Sequence, residues 1–274
     1  MRKTGILPAA LICVLGGVGT ALRSWELATA FESETGLAIS GAPATTALVG
    51  LSLATAIICL LLALRLKART ALRFHAVFGS SGLRTALPLL LPSLLILFCG
   101  VLEIGEARQY GQPLLMDMIW LFLAIAAGLS LLTVTLSARR EQPDNGLSLL
   151  SIIPVLFLCA WLIFAYMDRA TDPVILDYAY EFFALGFSVL GFYYTSGFAF
   201  EKPRPRRMAF CTLMAVYFSL VTLADGHTLC HKGIFLGLAA QLLIYFTQLM
   251  GNRGGDAAPS PQEASSEKNG PEKM

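Results

Sequence analysis

Carboxylates are the first residues with chemistry to offer, because three of them open long apolar runs. Asp177 and Glu181 are one helical turn apart and share a face. Asp117 holds the matching place in an earlier run: the words PLLMD, ending at Asp117, and PVILD, ending at Asp177, are offset by 60 residues without a gap. Cys99 and Cys159 share that offset. Proline at the first helical position with a carboxylate in the first turn is also an ordinary helix start, the charge being held by the helix dipole. Glu181 lies a turn deeper, where a carboxylate is protonated, paired or faces a wet cavity. Together Asp117, Asp177 and Glu181 are the candidate binding or proton-coupling groups for a small cation.

A second cluster gathers Asp225, His227, Cys230 and His231 within seven residues, the two histidines at i and i+4. Those donor types could hold zinc or copper if the turn winds into helix early, although the spacing matches no established closed site. The competing reading is a solvated polar turn. Gly233 and Gly237 form a G-x-x-x-G pair, and Gln241 extends the same side, a pattern for close helix packing with an amide to bond across the interface. The aromatic stripe from Phe182 to Phe200 reads as core or lipid contact.

What must position these residues is a membrane bundle. Of 274 residues, 56% are hydrophobic and 14% charged, with mean hydropathy +0.68. Apolar runs long enough to cross about 30 Å of hydrocarbon occur at 5–22, 44–66, 86–105, 114–136, 147–167, 174–200, 208–224 and 228–250. Lipid offers no partner to a bare backbone group, and none of the runs alternates as a barrel strand would, so all are expected to be helices. The fold class is therefore all-α, a polytopic bundle of eight transmembrane helices in one domain spanning 1–250. Segments 86–136 and 147–200 are a candidate hairpin repeat, and 251–274 is a polar, disordered cytoplasmic tail.

With the N-terminus inside, sixteen of the 20 Lys and Arg fall on the inner side, leaving Arg23, Arg108, Arg169 and Lys232 outside. The positive-inside rule then gives N-in and C-in. Acidic residues lean to the outer half. The first run resembles a signal peptide in its charges but lacks a clean cleavage site, and reads as a retained anchor. Lys67, Arg69 and Arg73, interleaved with apolar residues, suit a short helix lying on anionic lipid, or a plain basic loop.

A net charge of +2 disfavours a nucleic-acid binder. The cysteines, mostly inside apolar runs, read as buried hydrophobes rather than bridges. P-loop, dinucleotide-binding, H-E-x-x-H and G-x-S-x-G patterns are absent, so no cofactor is called for. The leading expectation is a multi-pass transporter or permease-like protein for a small cation or cationic solute, in a bacterial plasma (inner) membrane. The alternative is a non-catalytic subunit or sensor, a homo-oligomer or the anchor of a membrane partner, using the outer loop at 23–43 or the tail. A metal-dependent intramembrane enzyme built on Asp225, His227 and His231 is the third.

Overall fold

A computed structural model describes residues 5–32, 37–66, 74–78, 83–109, 115–137, 145–170 and 174–251; for 75, 76, 83–86, 104–109, 115–117 and 145 it describes the backbone alone. The described chain is helical, with one isolated bridge between Phe31 and Ala38. In chain order the helices are α1 (Ile6–Thr29), α2 (Pro43–Leu64), α3 (Phe74–Phe78), α4 (Leu83–Gln109), α5 (Leu115–Ser137), α6 (Asn145–Leu150), α7 (Ile153–Arg169), α8 (Ile175–Ala199), α9 (Pro205–Val221) and α10 (Leu229–Gly251).

Seven described segments are both long and apolar enough to cross a membrane: α1, α2, most of α5, α6 with α7, α8, α9 with its 3-10 turn, and α10. An eighth apolar stretch, Leu87–Glu103 within α4, is shorter. Lys67, Arg69, Arg73 and the tail at 252–274 lie outside the described residues. Between α2 and α4 in the chain, Phe74, Val77 and Phe78 of α3 are buried in the bundle, where the Phe78 ring meets Phe198 and Tyr245 at 5.3 and 5.2 Å.

α6 and α7 are one apolar rod broken at Ser151 and Ile152. Pro154 has no N–H to give the carbonyl of Leu150 four residues back, and the hydroxyl of Ser130 on α5 donates to that carbonyl instead. A side chain on the neighbouring helix thus satisfies the backbone group that the proline frees, as a dry environment requires.

Six helices pack in a closed ring, α4 on α5, α5 on α7, α7 on α8, α8 on α9, α9 on α10 and α10 back on α4. α1 and α2 pack on each other and on α9 from outside the ring. Burial follows that order: 72% of the α9 span is buried against 28% of α1 and 22% of α2, so α9 is the centre and the first two helices keep the most surface for lipid. Close approach of α1 needs Gly19, where a Cβ would fall 2.7 Å from Val221 Cγ2. Thr20 then reaches across to donate to the Leu220 carbonyl at 2.7 Å.

At one end of the bundle Gly5 lies against Met250, and Arg206 Nε donates to the Leu66 carbonyl at 2.8 Å. We call this the terminal end. The opposite, distal end carries the charged residues. There α1 runs to Thr29, seven residues past the sequence expectation, so that the first third of the expected 23–43 loop is helix. Hydropathy falls at Arg23 and Glu26, but the two charges neutralise each other within the helix and let it continue.

Candidate functional site

Arg23 is fully buried at the distal end, and every side of its guanidinium is used. Nη1 donates to Glu26 Oε2 at 2.7 Å, one turn along α1. Nε donates to Asp225 Oδ1 at 2.7 Å, in the turn before α10. Nη2 and Nη1 reach the carbonyls of Asp177 and Leu176 at 2.7 and 3.2 Å, in the first turn of α8. The Tyr180 ring lies 4.9 Å beneath it. Asp225 is saturated as well, since Oδ2 accepts from the Thr222 hydroxyl at 2.7 Å. The planar fork of arginine suits such a multidentate site, and it joins α1, α8 and the α9–α10 turn through one side chain.

Beside this knot sits a looser pair. Glu181 on α8 is 6% exposed, and its carboxylate faces His227 Nε2 at 3.9 Å, within ion-pair range but beyond hydrogen-bond distance. The same nitrogen lies 3.4 Å from the Thr222 hydroxyl. Burial pushes the His227 imidazole below its ordinary value near 6.5, against the pull of the Asp225 carboxylate.

His231, in the first turn of α10, faces Glu103 of α4 at 3.8 Å. Its ring is held by Trp120 of α5 and Trp161 of α7, at centroid distances of 5.0 and 5.4 Å. Phe157 and Phe235 complete the cluster, which fills the ring interior between α5, α7 and α10. No protein-family model, curated protein or solved structure matches the chain.

The residues singled out from sequence part company. Asp177 and Glu181 share a face of α8, yet the Asp177 carboxylate turns to Arg169 at 3.5 Å in a half-exposed pair, while Glu181 is buried. Asp117 is the third residue of α5, as Asp177 is of α8; its side chain lies outside the described residues. Asp225 is engaged by Arg23 and Thr222, the His227 and His231 rings are 6.4 Å apart, and Cys230 is buried on α10. Among the described residues no three His, Cys, Asp or Glu side chains come close enough to hold a metal ion. No disulfide links the cysteines.

Gly237 faces α4, where a Cβ would fall 2.7 Å from Ile96 Cγ1, and Gly233 faces Cys99 on the same helix. Gln241 is fully buried and accepts from Ser93 of α4 at 3.5 Å. Three residues central to the distal end, Arg23, Glu26 and Tyr180, were not read as a site from sequence. Their signal is the i, i+3 spacing of Arg23 and Glu26 in a stretch with no proline or glycine to stop the helix.

Three hydroxyls along the α8–α9 seam also stand out. Ser188, Thr212 and Ser219 are fully buried, and none of their oxygens has a hydrogen-bond partner among the described residues. A buried polar group left so costs about 1–3 kcal/mol.

Proposed function

We propose that this multi-pass membrane protein transports a small cation or cationic solute in a proton-linked manner, with Glu181 as the exchangeable carboxylate. One observation carries the reading: Glu181 is buried within a span, and the partner it faces is a titratable imidazole 3.9 Å away rather than a permanent cation. The permanent cations at this end are engaged elsewhere, Arg23 by Glu26 and Asp225 and Arg169, whose charge also reaches Glu181, by Asp177. A proton, or a cation in its place, would balance the Glu181 charge. Ionisable groups inside spans commonly mark ion paths and proton relays for this reason.

In this reading Asp177, at the half-exposed rim, attracts the cation, Glu181 binds it, and Asp117 is the counterpart on the neighbouring hairpin. The chain lies N-in and C-in in a bacterial plasma membrane, with the distal end outside. The juxtaposition of Gly5 and Met250 supports an even number of crossings. The glycine face of α10, a surface a membrane partner would favour, is filled by α4 of the same chain.

The test is reconstitution into liposomes holding a pH-sensitive dye, with imposed gradients of Na⁺, K⁺ or methylammonium. Cation-driven proton movement is expected in the wild type and lost when Glu181→Gln and Asp177→Asn are combined. Flux unchanged in that variant removes the site.

A further inference from the structure

We infer that the hydroxyls of Ser219, Ser188 and Thr212 form a proton path through the α8–α9 seam, running from Glu181 towards the terminal end. This rests on the transport reading and adds a route to it. Glu181, Ser188 and Thr195 repeat every seven residues and so lie on one buried face of α8, with Gly191 between the last two. Thr212 Oγ1 lies 3.6 Å from where a Cβ on Gly191 would be, which sets α9 against that face. Ser219 is seven residues from Thr212 on the same side of α9, and the antiparallel register brings it level with the turn between Glu181 and Ser188.

The polar groups therefore follow in the order Glu181, Ser219, Ser188, Thr212, Thr195, one per helical turn, in steps of about 5 Å. Thr195 donates to the Gly191 carbonyl at 2.8 Å, and the neighbouring Ser196 hydroxyl bonds the Ser151 carbonyl at 2.6 Å where α6 breaks into α7. The inner part of the seam is thus anchored, while the three hydroxyls between Thr195 and Glu181 keep both donor and acceptor capacity for a passing species.

Steps of this length suit one bridging water each. A proton arriving on a hydroxyl oxygen is matched by one leaving to the next water, so each hydroxyl keeps its protonation state, its O–H rotates back before the next transfer, and the net change is one proton moved. The row contains neither nitrogen nor sulfur, and the other face of the seam is sealed by Phe183, Phe187 and Phe218, stacked at 5.1 and 5.7 Å.

The experiment uses the full chain in liposomes with an internal pH dye and a K⁺ diffusion potential set by valinomycin, in the presence of the cation that gives Glu181-dependent flux. The triple variant Ser188→Ala, Thr212→Val, Ser219→Ala is expected to lose at least about tenfold in proton flux. Thr212→Ser, which keeps its hydroxyl, should retain the wild-type rate. Glu181-dependent flux that survives the triple variant unchanged overturns the path and leaves the transport reading standing. Equal loss in Thr212→Ser also overturns it, since packing rather than the hydroxyl would then be responsible. Absence of Glu181-dependent flux in the wild type sinks both. A triple variant that fails to fold is replaced by the three single substitutions, each judged by the same rule.

Discussion

The two charge groups at the distal end are neighbours built on opposite plans. Around Arg23 each ion-pair contact is 2.7 Å, and the cation is shared by Glu26, Asp225 and two α8 carbonyls. Between Glu181 and His227 the gap is 3.9 Å, and both groups can change protonation. A saturated cation fixes helices, whereas a slack pair of titratable groups can take up and release charge. Burial alone does not separate them; the completeness of the partner set does.

That contrast is broken most severely at Arg23. Arg23→Ala leaves two buried carboxylates without their cation and should cost about 3–5 kcal/mol of stability. Thermal unfolding in detergent, followed by labelling of the buried Cys59 and Cys211 thiols, measures it. A loss below about 1 kcal/mol would mean that the knot does not hold the helices.

The slack pair should respond to pH instead. Burial holds the His227 pKa below its ordinary value, so the folded chain takes a proton less readily than the unfolded one. The stability this contributes is complete above pH 6.5 and is lost as pH falls below it, by at most about 1.4 kcal/mol per pH unit for one proton. His227→Asn should flatten that part of the stability-against-pH curve; an unchanged slope would assign it elsewhere.

Glu181→Gln sharpens the comparison further. It is expected to alter stability by no more than about 1 kcal/mol while abolishing proton-linked flux, separating function from fold where Arg23→Ala cannot. The smallest effect belongs to Asp177→Asn. Its pair with Arg169 is half-exposed and 3.5 Å long, a kind of contact worth about 0–1 kcal/mol. Loss of its charge should weaken cation capture at low salt more than at high salt.

The helical bundle was legible because hydrocarbon sets both the length and the composition of a crossing, and apolar runs record that constraint directly. Legibility failed where polar residues belong to the structure. A hydropathy reading stops at Arg23 and Glu26, since single residues are scored by transfer cost and not by partners 200 residues away. The same limit hid Asp225, which looks like a turn residue or a metal ligand until Arg23 is placed beside it. Glu181 stood out because a carboxylate beyond the first turn of an apolar span has few structural excuses. His227 stood out by residue type, but its facing Glu181 is a tertiary fact that no local spacing encodes. The seam hydroxyls carry no signal in the sequence because serine and threonine in a span usually bond their own helix, and the orphaned ones differ only in three dimensions.

The bond from Arg23 to Asp225 joins positions 202 residues apart. Translation delivers the N-terminal part first, so α1 must enter the bilayer with its charged turn attended by Glu26 alone, and the last partner appears when most of the polypeptide has been made. Any ribosome that stops before Asp225 leaves a helix with an unfinished contact, open to membrane quality control. Completion of the α1 contact is thereby tied to synthesis of the chain through α9 and the turn after it.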